Sequence, residues 1–571
     1  MFLSALVDFP DDAITGYDER SLDAMMRTLR DIGVKRVHMQ WYSNRAFGYV
    51  WENSAPLYEG LKKTAEDLPE MGRSFANAAK RYGLETVLVM RPLETGDWHT
   101  FSPWYPYEGK PTGIPQIGGE IRIASHFLLN HSELRVKRRR WDTDPDVLNK
   151  TITCIRLYKQ NDYPTNITKD DITLYVSDDN SGYRRYEGEF TFEISCEPCA
   201  ETVIAGKTPS STYEDEIIAI KDDPILVLTI SGLNIKERYV AVAVTGREGN
   251  DPAGFFRNAP YHAIRCFHDG ALLSATPGSY WWKWEDDGGE QETNKSPLDF
   301  GFNFDDGFGT IGTITLDLPG KTEYLAIAKG KNEYLPGTLC ECEPAVQEYW
   351  MSLLDQALDE DFDIYANRIE CHSAMTDEPY AYGYNDSIKA EYARRYGPCS
   401  EEEMEPSKIA AIRGDTFSEL FAKGARAARA RGKKVAVSLN LEMLHKPIPY
   451  QRLLAYPAHV DWQWERWLTE IQPDLIIVRT FIYSPEFVLN DPQCMAIINA
   501  AKARGVELTF ERYVRKDFPN EYKRLRDTGL FSSMILYETA TVMKSDGNGN
   551  VIITMPEMIE ELKKVVTEGK Q

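Results

Sequence analysis

Eight short apolar runs, each ending in polar residues, alternate with helical patterns at the two ends of the chain. Phe2–Asp8, Lys35–Trp41 and Glu85–Arg91 come first. After a long break the rhythm resumes with Asp363–Glu370, Lys434–Glu442, Asp474–Thr480, Val506–Glu511 and Ser533–Glu538. Between and after them the apolar spacing predicts helices at Asp18–Arg30, Glu70–Tyr82, Thr416–Arg431, Trp462–Ile471, Gln493–Arg504, Glu521–Thr528 and Pro556–Thr567. Near-continuous apolar strands separated by helices imply a parallel sheet covered on its faces. Eight such units close a (β/α)8 TIM barrel, an α/β fold. Gly33, Gly83, Gly432 and Gly505 precede strands, where helix C-caps belong. A doubly wound open sheet is disfavoured, because no GxGxxG or Walker glycine loop follows the first strand.

The break has another texture. ILVLTISGLNI, YVAVAVTG and IGTITLDL are β-type runs, and SDDNSG, REGNDPAG and DDGGE punctuate them as turns. The expected organisation is barrel strands 1–3 in residues 1–143, an all-β sandwich inserted in 144–336, and barrel strands 4–8 in 337–571. The helix of the third unit is expected in the flanks, at Ile121–Asn130 and Val346–Leu358. Inserted in a βα loop, the sandwich would sit over the catalytic end of the barrel. Ile172–Ser177 with Asp178 and Asp179, followed by Tyr183–Tyr186, resembles a jelly roll of the discoidin type.

Barrel enzymes place their chemistry at the C-terminal strand ends. Here those ends carry Asp8, Gln40, Trp41, Tyr42, Arg91, Arg368, Glu370, His372, Asn440, Glu442, Arg479, Glu511, Arg512 and Glu538. Carboxylates placed directly after apolar runs exceed what solvation of loops requires. Period-two parity puts Arg368, Glu370 and His372 on one side of strand four. Cleavage of a glycosidic bond needs two carboxyls facing each other across it, one to protonate the leaving oxygen and one to attack or activate water. Glu370 and Glu511 lie on opposite arcs of the barrel and suit those roles as general acid/base and nucleophile. Glu538, beside strand seven, could raise the pKa of Glu511 or replace it. The plain alternative for each glutamate is a salt bridge to Arg91, Arg479 or Arg512.

This layout resembles the retaining glycoside hydrolase barrels that carry the acid/base after strand four and the nucleophile after strand seven. Ile369 stands before Glu370, where those barrels commonly have Asn. Ser125–Arg139, Glu343–Leu358, Asp361–Ser373 and Ala381–Gly397 are also similar to bacterial barrels of the family-10-like glycosyl hydrolases. In those a His-Pro-Glu element follows strand three, and here Ser132 replaces the Pro. Both resemblances imply a carbohydrate substrate, an oligosaccharide or glycoside, and name no sugar.

Composition adds two points. Of 12 Trp, 31 Tyr and 23 Phe, many crowd the segments after strands two and three: Trp41, Tyr42, Phe47, Tyr49 and Trp51, then Trp98, Phe101, Trp104, Tyr105 and Tyr107. Such loops stack sugar rings or form an aromatic mini-core of their own. A net charge of −23 argues against nucleic acid and anionic membranes as partners. Asp8, Trp41, Tyr42, Arg91, Arg368, His372, Asn440, Glu442 and Arg479 are the expected substrate contacts. No cofactor is expected, although Glu370, His372, Glu442 and Glu538 could serve a metal-dependent sugar isomerase or epimerase instead. A degenerate barrel that only binds carbohydrate is the third class. The nine cysteines read as reduced thiols, since Cys196/Cys199 and Cys340/Cys342 lack the glycine-rich knuckle of a four-thiolate zinc site. The N-terminus lacks a basic region before a short apolar run, so no signal peptide is expected, and the expected location is the cytoplasm, with a secreted protein trimmed of its leader as the alternative.

Overall fold

The computed structural model describes residues 1–8, 15–40, 59–92, 106–107, 110–111, 126–159, 161–162, 164–165, 167–178, 184–205, 216–245, 261–275, 284–286, 289–291, 322–331, 333–368, 379–446, 460–480 and 483–568. Eight parallel strands form a closed barrel: β1 (Phe2–Asp8), β2 (Val34–Gln40), β3 (Glu85–Met90), β4 (Ile364–Asn367), β5 (Lys434–Asn440), β6 (Leu475–Thr480), β7 (Glu507–Tyr513) and β8 (Ser533–Tyr537). With helices between the strands this is a (β/α)8 barrel. Closure runs from Phe2 opposite Ser533 to Ala5 opposite Leu536. Val87–Met90 pair with Ile364–Asn367 across the whole middle segment.

The strands alternate between two apolar environments, which is why their sequences are apolar throughout. Leu3, Ala5 and Val7 of β1 face the helical layer. Leu6, Val87, Val89, Ile364, Ala366, Ala436, Leu475, Ile477 and Ile535 fill the barrel interior. The helix after β1, Glu19–Ile32, starts where Asp18 and Ser21 close a reciprocal capping box. It ends at Gly33 with φ 107°, a conformation that disfavours any side chain. A Cβ at Gly33 would also meet Val566 at 3.0 Å.

Most expected elements fall within a few residues of the observed ones. The helix expected from Thr416 begins at Pro406, where proline occupies the first turn, and runs to Ala430. The helix expected over Trp462–Ile471 is a short turn, Trp464–Arg466, continued as a π-turn and stopped by Gln472 in the left-handed region. The first flanking helix is described from His126 to Asn130 and the second spans Pro344–Leu358. Among the described residues no helix is long and apolar enough to cross a membrane.

Between β3 and β4 lie two larger antiparallel sheets. One has five strands in the order Thr191–Pro198, Pro224–Ile235, Ile152–Lys159, Tyr261–His268, Ala271–Ala275. The other has four, in the order Thr322–Ala328, Tyr239–Thr245, Ile172–Ser177, Arg184–Arg185. Ile155, Leu157, Leu228 and Ile264 of the first share one apolar cluster with Leu174, Val176, Val242 and Ile327 of the second. The buried Lys329 ammonium donates to the carbonyls of Leu148, Lys150 and Lys236 at 2.8–2.9 Å. Those bonds replace the water that an ammonium loses on burial.

The N-terminal end of the barrel is held by charge. Arg36 on β2, 3% exposed, pairs with Glu85 on β3 at 2.7 Å and with Glu507 on β7 at 2.9 Å. Burial pushes the Glu507 carboxyl up, but hydrogen bonds from Arg36 and Ser532 outweigh it and hold the group below its ordinary value. Its contribution is therefore present above the ordinary glutamate range and is lost as pH falls through the lowered value. Arg36→Met should cost about 2 kcal/mol at pH 7, since both carboxylates keep some water while losing their shared cation. Urea unfolding of wild type and variant checks this, and the gap should narrow as pH is taken below 4.5, the ordinary glutamate value.

Candidate active site

Parity along the strands decides what enters the barrel mouth. Continuing inward from Val89, Ala366, Ile477 and Ile535 leads to Arg91, Arg368, Arg479 and Tyr537. On β7 the inward residues beyond Thr509 are Glu511 and Tyr513. The β6–β7 register sets Arg479 opposite Glu511, and the β7–β8 register sets Tyr513 opposite Tyr537. Arg368 continues the pairing of β4, its N–H donating to the Met90 carbonyl at 2.9 Å.

These side chains form one buried cluster. Arg479 Nη1 donates to Glu511 Oε1 at 2.7 Å, and Arg368 Nη1 lies 3.8 Å from the same oxygen. Arg368, Arg479 and Glu511 are each no more than 2% exposed. Arg368 Nη2 also donates to the Tyr537 hydroxyl at 3.1 Å. The Tyr537 ring lies beneath both guanidiniums, 5.1 Å from Arg368 and 4.5 Å from Arg479. Tyr513 packs edge-on against it at 4.7 Å. Burial pushes the Glu511 carboxyl up, while Arg368 and Arg91 pull against that rise. The Tyr537 hydroxyl is pushed well up by burial, opposed by Arg368 and reinforced by Glu538 and Asp8. The salt bridge weighed as the plain alternative for Glu511 is thus present, to Arg479 and inside the mouth.

The other expected residues divide. Asp8 is 5% exposed and lies opposite Gln40 in the β1–β2 register. Glu538 follows β8 half-buried. Asn440 is buried, and its side-chain oxygen caps the short helix Leu441–Leu444 by accepting from Met443 N–H at 3.1 Å. Glu442, in that helix, is fully buried. It accepts from the Thr480 hydroxyl and from Tyr483 N–H at 3.2 Å, which ties the end of β5 to the end of β6. Arg512 pairs with Glu521 at 3.3 Å. Glu370, His372, Trp41 and Tyr42 lie outside the described residues, as do most of the aromatic segments after β2 and β3.

Three inward residues were not among the expected contacts: Tyr513, Tyr537 and Gln40. Counting by twos from Glu511 and Ile535 finds the tyrosines. Gln40 is 0% exposed, and neither amide atom has a hydrogen-bond partner among the described residues. Below it His38 is equally buried, and burial, then Arg36, holds its pKa well below the ordinary value, so the ring is neutral.

No family model matches the chain, and no curated protein matches it significantly. Solved structures do. A β-galactosidase from the psychrophilic Marinomonas ef1 is 7% identical with TM-score 0.39, over 100% of this chain and 60% of that one. A family 1 β-glucosidase from Thermotoga maritima is 10% identical with TM-score 0.24, over 40% of this chain and 69% of that one. The glycoside hydrolase domain of PelA from Pseudomonas aeruginosa is 8% identical with TM-score 0.19, over 40% of this chain and 68% of that one. This chain spans less than two thirds of the length of the β-galactosidase. Likenesses this distant carry no argument about chemistry.

Arg479→Met should destabilise the fold by about 3 kcal/mol at pH 7, because it strips Glu511 of its hydrogen-bonded cation inside a buried site. A carboxyl whose pKa is already raised contributes most to stability when protonated. The loss should therefore shrink at acidic pH, and Glu511→Gln in the Arg479→Met background should recover part of it. Denaturant midpoints of the two single variants and the double variant check both points.

Proposed function

We propose that the protein is a glycoside hydrolase that cleaves an oligosaccharide or glycoside at the barrel mouth. The observation that carries this reading is Glu511, buried at the C-terminal end of β7 and surrounded by Arg368, Arg479 and Tyr537. A carboxylate inside a barrel mouth, with its charge balanced by fixed guanidiniums, has the environment required of a glycosidase nucleophile. The two arginines stabilise its ionised form before attack, and Tyr537 fixes where Arg368 points. Glu370, two residues after Arg368 in the sequence, is the general acid/base in this reading. Attack by Glu511 on the anomeric carbon, with proton donation from Glu370, gives a covalent glycosyl intermediate that water releases, with retention. Glu538 and Asp8 set the potential around Tyr537. Gln40, whose amide donor and acceptor find no partner among the described residues, suits a sugar hydroxyl pair. Asn440 and Glu442 are assigned to the scaffold, since their hydrogen bonds hold the β5 and β6 loops together. His372, Trp41, Tyr42 and Arg91 remain proposed substrate contacts.

The two antiparallel sheets are read as an inserted β-sandwich domain spanning 144–336, with barrel segments 1–143 and 337–571 on either side. Their shared apolar cluster supports that division.

A panel of aryl glycosides identifies the sugar. On the substrate found, Glu370→Gln and Glu511→Gln should each lower kcat/KM by roughly 100- to 10,000-fold or more. Full activity in both variants would remove Glu370 and Glu511 as the catalytic pair, and binding of a glycoside without hydrolysis by the wild type would replace the reading by a carbohydrate-binding barrel. The acidic limb of kcat/KM in the wild type should lie above pH 4.5, the ordinary glutamate value, because the nucleophile must ionise from a raised pKa. A limb below that value would remove Glu511 from the role.

A further inference from the structure

Cys340, Glu341 and Cys342 form a tight turn ahead of the helix Pro344–Leu358. Cys340 N–H donates to the Leu134 carbonyl at 2.8 Å, Glu343 N–H to the Cys340 carbonyl at 3.0 Å, and the Gln347 amide to the Glu341 carbonyl at 3.0 Å. The turn directs the two thiols and the carboxylate toward one point, with one potential ligand atom of each within 4.8 Å of the others. Cys196 and Cys199 are not part of this group. Cys340 and Glu341 are buried, and Cys342 is half-buried, which leaves a path for an ion. Across the turn stands Arg413 on the helix Pro406–Ala430, fully buried and paired to both Glu341 oxygens, with Nη2 to Oε2 at 2.8 Å. One turn along that helix, Thr416 Oγ1 lies 3.5 Å from Cys342 Sγ.

We propose that Cys340, Glu341 and Cys342 bind one zinc ion, in the turn that leads into the helix Pro344–Leu358 and faces the helix Pro406–Ala430. Two thiolates and a carboxylate are a donor set that zinc accepts, with water or the Thr416 hydroxyl in the fourth position. Magnesium and calcium prefer all-oxygen shells. Zinc sits at about 2.3 Å from sulfur and about 2.0 Å from oxygen, so the three ligand atoms need only converge by side-chain rotation. Each Glu341 oxygen has a second lone pair beyond the one facing Arg413.

Charge favours a divalent ion. Glu341 is already paired with Arg413, so its carboxylate charge is balanced before any ion binds. On binding, each thiol releases its proton to solvent, two Zn–S bonds form, and nothing is oxidised or reduced. Two new negative charges meet two positive ones, so the buried site stays neutral. A monovalent ion held by the same two thiolates would leave a net negative charge there.

The test uses the full chain, reduced with a phosphine, stripped by a chelator and titrated with zinc chloride. One equivalent should bind, with release of two protons per zinc. Cobalt(II) chloride should give the thiolate-to-cobalt charge-transfer absorption. Cys340→Ser and Cys342→Ser should each weaken binding on the order of 100-fold or more, as expected for loss of a direct ligand. Cys342, half-buried, keeps the test open if the Cys340 variant does not fold. A Cys196→Ser, Cys199→Ser double variant should bind as the wild type does. No stoichiometric binding, binding without proton release, or binding that survives Cys342→Ser would overturn the proposal.

Discussion

Everything at the barrel mouth depends on one pairing, that of β3 with β4. Val87–Met90 must find Ile364–Asn367 across the segment that builds the two antiparallel sheets. Only then does the sheet continue through β5 to β8 and close on β1. Closure leaves no free edge, so every barrel strand has partners on both sides. It also fixes which side chains share the interior, because parity and register together leave no choice. A slip of one residue in β4 would send Arg368 outward to the helices and Tyr365 inward.

The two ends of the barrel answer the same electrostatic problem differently. At the N-terminal end one buried cation, Arg36, serves two carboxylates whose side chains are 30% and 34% exposed. Water shares the load there, and the arrangement reads as a fastening between strands. At the mouth the proportions reverse. Arg368 and Arg479 converge on Glu511, and all three are shut from solvent. Burial on that scale is costly for stability alone, and an apolar filling of similar volume would serve the fold as well or better. A site that must hold a developing charge in place has a reason to keep such a cluster. Gln40 and His38 point the same way, as buried polar side chains in the barrel interior that find no partner among the described residues.

The barrel was legible because its signal is redundant. Each strand is an apolar run of the right length, and helical patterns alternate with the strands, the first of them capped at Asp18 and Gly33. The ends of elements were less legible. Pro406 starts a helix ten residues before the Ala/Arg-rich stretch that advertises it (416 − 406), with Ile409 and Ile412 already on its buried face. At the site, the strand ends name Arg368, Arg479 and Glu511 among many polar residues, and the structure brings these three together. The strand ends did not distinguish Glu442, which looks like a mouth carboxylate in sequence. Its bonds to Thr480 and Tyr483 depend on a short helix that immediately follows β5. Tyr537 was overshadowed by the adjacent Glu538, although parity with Ile535 points it inward. Buried ion pairs across strands far apart in sequence leave no local pattern. The strand ends therefore admit the Arg479–Glu511 bond as one alternative among several and do not select it.

The central claim is a pair of carboxyls facing each other across the mouth. The most direct measurement is the separation of the Glu370 and Glu511 carboxyl groups in a crystal of the protein with a bound sugar. The account predicts about 5 to 5.5 Å with the anomeric carbon between them, the spacing of a retaining pair. A separation well above about 10 Å would contradict it, since even inverting pairs sit closer.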